Sequence, residues 1–372
     1  MPPKKRVDNL WKGFATFERL RRSYFRAARG KCMQRAAMEF HVSLEANILV
    51  IRDELLRGTY EWGTYRAFYV NEPKRRLIEA APFRDRVVHH AIHEVLEPLY
   101  DPSFYYHSYA CRTGRGTHAA VSTLRNWIGE RPALYFLKMD VKSFFASINR
   151  EVLFSILQCR IGDMRLLALI KTLIMNAPGT VGIPIGNLTS QLFANVYLDR
   201  LDQFVKRVLR VPYFLRYMDD VLFFSDSREQ LVRWRQEIEE FGREQLKLRF
   251  HPHKTLIGAA RDGISFVGYR TYPWGISVRG RSLRRFRKRL LAGAPLGTKI
   301  KRLNSYFGHI GLVSNRLKSK GHAGGRDDLK EILVRAAFER VVPRLPVVDA
   351  VMEMFNKSFK NSLQKKGGSG ID

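Results

Sequence analysis

Two adjacent aspartates, Asp219 and Asp220, constrain the fold of this chain more than its other features, because two apolar runs flank them. The runs Pro212–Arg216 and Val221–Phe224 are aromatic and aliphatic, which is typical of strands, and the short segment between them predicts a hairpin turn. Neighbouring carboxylates at a hairpin tip repel each other unless a divalent cation binds them. The alternative is a solvated Asp-Asp turn. The two flanking strands favour the metal site.

A third carboxylate, Asp140, closes another strand-like run, Leu134–Met139. In two-metal nucleotidyl transfer, two Mg²⁺ ions roughly 3.5–4 Å apart hold the attacking and leaving oxygens. Hard cations prefer carboxylate and carbonyl oxygens. We predict that Asp140 and Asp219 bridge two Mg²⁺ ions and that the carbonyl of Val141 completes one coordination shell. Asp220 would add negative charge from just outside that shell. Taken alone, Asp140 would equally suit a helix N-cap.

The charge of the chain indicates a polyanionic partner. Its 372 residues carry 65 Lys and Arg against 35 Asp and Glu, a net charge of +30. No apolar run approaches the length of a membrane span, and no apolar core of a signal peptide follows the basic start Met1–Arg6. The three cysteines, Cys32, Cys111 and Cys159, lack metal-binding spacing, so we expect a reduced cytoplasmic protein without zinc.

Basic residues recur at places suited to phosphate. Tyr65–Val70 and Arg76–Ala80 predict a hairpin with a basic tip, and we favour Lys74 and Arg76 as contacts to the triphosphate of an incoming nucleotide. A glycine-rich loop, Ser108–His118, offers Arg112 and Arg115 to phosphate. A basic amphipathic helix from 279 onward could follow a nucleic-acid backbone through a further set of side chains, namely Arg284, Arg285 and Lys288.

The segment Val181–Gln191 predicts a loop that leads into a helix. Its glycines, including Gly186, let backbone approach a base pair closely, and Thr189 or Ser190 could cap the helix. Farther on, Arg228–Leu246 has the pattern of an amphipathic helix, and a hairpin is expected to turn near residues 273–275.

The order of these motifs resembles that of the reverse transcriptases, over residues 65 to 310. The shared order comprises Asp140, the glycine loop at 182–191, Tyr217–Asp220, Lys254-Thr255 and Phe266–Tyr269. The resemblance implies an α+β right-hand polymerase fold with fingers, a palm that holds an antiparallel sheet, and a short helical thumb. The implied divisions are a helical extension at 1–65, fingers at 66–133 and 150–184, palm at 134–149 and 185–278, thumb at 279–346, and a tail at 347–372.

One block narrows the resemblance. Most reverse transcriptases have Gln before the loop glycine and Ser-Pro after it, whereas this chain has Ile185-Gly186 and Ser190-Gln191. This pattern, with Tyr109–Arg112 leading to Gly116–His118, is similar to the enzymes of diversity-generating retroelements. That family, bacterial or phage-encoded, copies a template-repeat RNA into cDNA with errors opposite adenines. It works with a small basic accessory protein, which we expect to be oligomeric, and the cDNA replaces a variable region of a target gene.

The resemblance also implies roles for individual residues. The metal-binding acids are Asp140, Asp219 and Asp220, and Lys254 matches the lysine that protonates the pyrophosphate leaving group. Phe145 matches the aromatic gate that excludes a 2′-hydroxyl, and Phe266, Val267, Gly268 and Tyr269 match the primer grip. The full set expected around the nucleotide is Lys74, Arg76, Phe144, Phe145, Ile185, Gly186 and Gln191.

Ile185 has a physical consequence for fidelity. A Gln amide there would hydrogen-bond near the nascent base pair, whereas a branched apolar side chain cannot, so mispairs lose less relative to correct pairs. We therefore expect low fidelity, which Ile185→Gln should raise. The alternative is that Ile185 simply packs under the template.

Two other functions compete with this interpretation. A retron enzyme or group II intron-like reverse transcriptase shares the chemistry; an intron protein would be expected to carry maturase and endonuclease segments after the thumb, and a retron enzyme would not be expected to carry the Ile185–Gln191 block. A non-catalytic RNA-binding scaffold would also be basic, but it has no need of three converging carboxylates. We identify no nuclease motif in the sequence.

Overall fold

The computed structural model describes residues 6–71, 75–291, 295, 297–298, 301–302 and 305–306. The helices are α1 (Leu10–Phe14), α2 (Phe17–Ala28), α3 (Arg35–Val42), α4 (Leu44–Arg57), α5 (Phe83–Tyr100), α6 (Thr117–Glu130), α7 (Phe144–Ser147), α8 (Arg150–Gln158), α9 (Met164–Met175), α10 (Leu188–Arg207), α11 (Arg228–Gln245) and α12 (Gly280–Leu291). The strands are β1 (Arg66–Val70), β2 (Arg76–Ala80), β3 (Tyr135–Asp140), β4 (Tyr213–Tyr217), β5 (Asp220–Ser225), β6 (Leu256–Ala259), β7 (Ile264–Phe266), β8 (Tyr269–Tyr272) and β9 (Gly275–Val278).

The chain divides into two compact units. One comprises Met1–Thr123 with Ala133–Ala260, and the other comprises Leu124–Pro132 with Arg261–Asp372. The finer division into fingers, palm and thumb stays a prediction. Most of the predicted thumb and the whole predicted tail lie outside the described residues.

Helix α5 is the centre of the helical part of the first unit. Val88, Ile92 and Leu96 recur along one face and are fully buried, and α2 and α10 both pack against this helix. At the start of α2, the side chain of Thr16 accepts a hydrogen bond from Arg19 N, which satisfies one of the free amides of the first turn. Residues 10–57 are mainly helical, as the apolar spacing predicts.

An antiparallel sheet of four strands, in the order β4-β5-β3-β6, carries the acidic motifs. Its central strands, β5 and β3, are mostly apolar: Leu137, Leu222 and Phe223 are fully buried, and α11 packs against both strands. Both predicted strands around Tyr217–Asp220 are present, and β1 and β2 form the predicted hairpin. The sequence was therefore sufficient to locate the strands that bring the acids together.

The second unit contains a three-stranded antiparallel sheet, in the order β7-β8-β9. Tyr272 pairs with Gly275, so the predicted turn near residues 273–275 is confirmed. Among the helices that the structure describes, none is both long and apolar enough to cross a membrane.

Candidate active site

The hairpin of β4 and β5 turns on two residues. Tyr217 pairs with Asp220, which leaves Met218 and Asp219 in the turn. Met218 has a φ of 55°, in the left-handed region that non-glycine residues rarely adopt. The carbonyl of Asp219 accepts a hydrogen bond from Val141 N at 3.4 Å, so the turn is tied to the end of β3.

Strand register brings the three predicted acids together. Asp140 and Asp220 are directly opposite each other on β3 and β5, and Asp219 adjoins Asp220 in the turn. Burial raises the pKa of Asp220 to about 6; the positive charge of Lys138 opposes this shift, and the negative charges of Asp140 and Asp219 add to it. Burial also raises the pKa of Asp219, and the charge of Asp140 adds to the effect. The fold therefore holds three carboxylates close enough to repel one another.

Two lysines compensate part of this negative charge. Lys138 Nζ lies 2.9 Å from Asp220 Oδ2, and Lys254 Nζ forms an ion pair with Asp140 Oδ1. Asp220 Oδ1 is buried and has no hydrogen-bond partner within the described residues. An orphaned carboxylate oxygen beside two further carboxylates is a donor set that suits a hard divalent cation. In the described part of the chain, however, no three His, Cys, Asp or Glu side chains are arranged as a coordination cluster.

Lys254 reaches Asp140 because its segment is anchored to the end of β3. His251 N donates to the Asp140 carbonyl at 2.8 Å, and Lys142 N donates to the Arg249 carbonyl at 2.8 Å. A short 3-10 helix, Pro252–Lys254, then places the ammonium group beside the Asp140 carboxylate. The acid in β3 and a lysine more than 100 positions later therefore form one local arrangement.

The hairpin of β1 and β2 contacts the glycine loop. Glu79 N donates to the Ile185 carbonyl at 3.3 Å. Gly186 has a φ of 116°, and a Cβ there would lie 3.0 Å from Ile78 Cγ2. Arg76, on the same strand, is exposed, and its positive charge is among those that lower the pKa of Asp219. The β1–β2 hairpin therefore carries Arg76, whose charge acts on Asp219, and is also tied to the Ile185 loop. Lys74 lies outside the described residues.

Loop residue Gly182 packs directly against the segment after β3. Gly182 N donates to the Ile148 carbonyl and Ile183 N to the Phe145 carbonyl, each at 2.9 Å. With a φ of 90°, a Cβ on Gly182 would lie 2.9 Å from both Ala146 Cα and the Phe145 carbonyl oxygen. Only glycine fits this approach, and the contact positions the half-buried ring of Phe145.

Comparison with known proteins decides the family. The family described as "Reverse transcriptase (RNA-dependent DNA polymerase)" matches residues 71–271, which is more than half of the chain. The chain belongs to the reverse transcriptases. It is accordingly an RNA-directed DNA polymerase, and the predicted superfamily is confirmed.

Relatives of this reverse transcriptase include proteins encoded in introns. It is 26% identical to Protein YkfC of Escherichia coli (strain K12) in an alignment of 272 residues that covers 61% of this chain and 71% of YkfC. It is 30% identical to the Group II intron-encoded protein LtrA of Lactococcus lactis subsp. cremoris in an alignment of 172 residues that covers 43% of this chain but only 28% of LtrA. A structure of apo telomerase from Candida tropicalis aligns with a TM-score of 0.48 at 13% identity, covering 87% of this chain and 72% of that one.

Two residues predicted to contact the nucleotide or nucleic acid are internal to the reverse transcriptase. Arg112 has a side chain only 6% exposed; it pairs with Asp101 at 2.6 Å and donates to the carbonyls of Tyr105 and Ser108. Phe144 is 3% exposed and belongs to the hydrophobic core. These placements contradict both predicted contacts, because neither side chain is available to a ligand.

Other predicted contact residues remain accessible. Arg115 is half-buried with its guanidinium 4.1 Å from the centre of the Tyr106 ring, and Gln191 is half-buried on α10. Arg284 and Lys288 are exposed on α12, and Arg285 is partly exposed. Their predicted contacts with nucleotide or nucleic acid stay predictions.

The predicted primer grip is a tight turn. Phe266 pairs with Tyr269, and both rings are fully buried, which contradicts a primer contact through either ring. Val267 and Gly268 form the turn with φ values of 38° and 94° and are partly exposed. Within the predicted primer grip, Val267 and Gly268 are the partly exposed residues, and their contact with a primer stays a prediction.

The cap predicted for α10 is also different from the structure. The N-cap residue is Asn187, without a side-chain cap bond, and Thr189 instead lies 2.6 Å from His89 Nδ1 through its hydroxyl. Both Thr189 and Ser190 are buried. Hydroxyl residues are favoured at helix starts, but here the Thr189 hydroxyl contacts His89 of α5 instead of capping α10.

The sequence argument missed Lys138 and Arg216. Lys138 stands two residues before Asp140, so strand alternation places both on one face, and this signal was available. Arg216 is a lone charge in the apolar strand β4 and is fully buried. A charge in such a strand requires a buried partner, which sequence alone does not identify.

Proposed function

We propose that this reverse transcriptase copies a template-repeat RNA into cDNA by two-metal nucleotidyl transfer, with errors concentrated at template adenines, for mutagenic retrohoming. The pairing of Asp140 with Asp220, with Asp219 in the adjoining turn, carries the catalytic part of the proposal. These acids, with the Val141 carbonyl, would hold two Mg²⁺ ions. When bound, the ions act as Lewis acids on the phosphoryl group.

The neighbouring side chains supply the remaining functions. Lys254, beside Asp140, would protonate the pyrophosphate leaving group. Arg76 and Lys74 would bind the triphosphate of the incoming dNTP. The half-buried ring of Phe145 would exclude a 2′-hydroxyl from the sugar position.

Primer extension on an RNA template tests the catalytic part. We expect extension with Mg²⁺, none with EDTA, and a loss of about 1,000-fold or more in Asp219→Asn, since the metal ligands supply several kcal/mol of transition-state stabilisation. Asp226→Asn, an exposed aspartate just after β5, is the matched control and should extend at the parental rate. Parental activity in Asp219→Asn would reject the site, whereas no extension by the parental protein with Mg²⁺ would favour an RNA-binding scaffold.

The block Ile185–Gln191 supports the error-prone part. The Ile185 carbonyl already accepts a hydrogen bond from Glu79 N. The half-buried side chain is therefore the group through which Ile185 would contact a base pair. An isoleucine side chain has no hydrogen-bonding group with which to test base-pair geometry. Sequencing cDNA made on a template with all four bases should show misincorporation concentrated opposite adenine.

A second candidate is a group II intron-like or retron reverse transcriptase of ordinary fidelity. The 30% identity to an intron-encoded protein favours it. The same sequencing separates the two candidates, because this second enzyme should show errors at similar low frequency opposite every base.

The proposed partners follow from the same assignment. They are the template RNA, the RNA/cDNA duplex, dNTPs and a small basic accessory protein, itself oligomeric. Because this chain carries a net charge of +30, two basic proteins would associate most readily through shared RNA. Size-exclusion chromatography with and without nuclease treatment tests whether the association needs RNA.

A further inference from the structure

We propose that Arg216 is a positioning residue that fixes the turn carrying Asp219 and Asp220. The inference rests on the proposed catalytic role of these acids. Arg216 lies in β4, one residue before the Tyr217–Asp220 segment, and its side chain is fully buried. A buried guanidinium is costly unless all its N–H groups find partners, so the partners indicate what the residue does.

Part of the guanidinium forms an ion pair with Asp202 of α10. Nε lies 2.9 Å from each carboxylate oxygen, and Nη2 lies 2.6 Å from Oδ2. The side chains of Arg216 and Asp202 are 0% and 1% exposed. This planar, two-pronged contact holds the guanidinium in one orientation.

The remaining nitrogen, Nη1, reaches the catalytic turn. It donates to Asn195 Oδ1 at 3.1 Å and to the carbonyl of Met218 at 3.2 Å. Met218 has the left-handed backbone conformation, which a non-glycine residue adopts only at a steric cost. The guanidinium therefore binds the carbonyl of the strained residue on which the hairpin turns.

That carbonyl belongs to the peptide group that joins Met218 to Asp219. Because a peptide group is planar, fixing the Met218 oxygen also fixes the direction of the Asp219 N–H. The orientation set by Arg216 is thus transmitted through one rigid peptide to Asp219, the residue whose carboxylate is proposed to bridge the metals.

Arg216 is itself held from two sides. Its backbone N donates to the His107 carbonyl and its carbonyl accepts from Tyr109 N, each at 2.9 Å. Asn195 Nδ2 donates to the Ala110 carbonyl at 2.9 Å. Helix α10 and the segment 107–110 thus form a rigid frame around the guanidinium. A pair that served stability alone would need no contact with the turn.

A double variant separates positioning from stability. Arg216→Met with Asp202→Leu replaces the buried ion pair by apolar side chains of similar size, which is often neutral or stabilising. We expect a melting temperature close to the parental one. We also expect kcat for primer extension to fall by about 100-fold, because a displacement of about 1 Å in a catalytic group has that effect. KM for dNTP and affinity for primer–template should change little.

Tyr60→Phe with Asp85→Asn is the matched control. Tyr60 OH donates to the buried Asp85 carboxylate at 2.7 Å, and within the described part of the chain neither side chain hydrogen-bonds to the β4–β5 hairpin. This variant should lose stability without the drop in kcat. Arg216→Lys retains the positive charge opposite Asp202 but has one nitrogen in place of the forked guanidinium. We expect this variant to fold and to show the same fall in kcat.

The outcomes are distinct. Parental kcat in folded Arg216→Lys, or in the folded double variant, would overturn the positioning role. An equal fall in kcat in the Tyr60/Asp85 control would also overturn it, because general destabilisation would then explain the loss. If Asp219→Asn itself retained parental activity, the proposed active site would fail instead, whatever the Arg216 variants showed.

Discussion

Lys138 and Asp220 form an ion pair of 2.9 Å between the adjacent strands β3 and β5. Both side chains are about four-fifths buried, at 19% and 22% exposure. The lysine opposes the effect of burial, which by itself raises the pKa of Asp220. Because Lys254 pairs with Asp140 in the same way, the fold carries its own counter-charges for a cluster of acids that would otherwise repel each other.

A double-mutant cycle on Lys138→Met and Asp220→Asn should reveal this pairing in the free energy of unfolding. In the absence of divalent metal we expect a coupling of about 1–2 kcal/mol, since either single change leaves a partly buried group without its partner. The exposed pair Arg235–Glu239 of α11 is the control, with an expected coupling of about 0.3–0.5 kcal/mol. Urea unfolding measures both; equal couplings would contradict the prediction.

His89 should make stability depend on pH. Burial lowers its pKa from an ordinary value of 6.5 to about 3, so its contribution is fully present above pH 6.5 and is lost as the pH falls toward 3, because only the unfolded chain takes up the proton. Lowering the pH from about 7.5 to about 5.5 should therefore reduce the free energy of unfolding by about 1.4 kcal/mol through His89 alone.

The variant His89→Gln should remove that part of the pH dependence. His90 and His107, whose pKa values burial lowers to about 4, still contribute their own. Thr189→Val deletes the 2.6 Å contact but keeps the histidine, so it should lower stability by the same amount at both pH values. Urea unfolding of the three proteins checks this, and an unchanged slope in His89→Gln would refute it.

Much of the architecture was predictable because the apolar patterns are strong. The strands around Asp140 and Asp219 and the hairpin at 66–80 follow from runs of aromatic and branched residues, and register then brings the acids together. Adjacent carboxylates in a turn between two strands favour one function, metal binding. These parts of the site need little tertiary information.

The errors arise where tertiary contacts decide the fate of a side chain. Arg112 lies in a loop typical of phosphate binding, yet Asp101 and nearby carbonyls occupy its guanidinium. Phe144 and Phe145 are adjacent, and only packing determines that the first is core. The role of Arg216 could not be predicted from the sequence for the same reason, because its partner, Asp202, lies on another element.

Gly182→Ala should be severely destabilising. The left-handed backbone strains any side chain, and the new Cβ would lie 2.9 Å from backbone atoms of residues 145 and 146, which cannot move aside cheaply. We expect a cost of about 3 kcal/mol or more. Gly114→Ala is the control: its φ is 71°, but no atom of the described residues lies within 4 Å of the new Cβ, so strain alone should cost about 1 kcal/mol.

The same substitution should affect the sugar site. Because Gly182 packs on the Phe145 carbonyl, Gly182→Ala should shift the Phe145 ring and weaken discrimination between dNTP and rNTP, whereas Gly114→Ala should not. Thermal unfolding and single-nucleotide incorporation measure the two effects. Similar melting temperatures for the two variants would contradict the packing argument.

Ile185→Gln should raise the fidelity of cDNA synthesis. The hydrogen bond from Glu79 N to the Ile185 carbonyl ties the loop to the β1–β2 hairpin, so the proposed position of residue 185 would be kept and the new amide could hydrogen-bond near the nascent pair. One such bond is worth about 1 kcal/mol, or about a fivefold drop in misincorporation opposite adenine. Ile185→Val keeps a branched apolar side chain and should keep the parental spectrum. Sequencing of cDNA from the three enzymes measures this, and an unchanged spectrum in the Gln variant would mean that Ile185 only packs beneath the template.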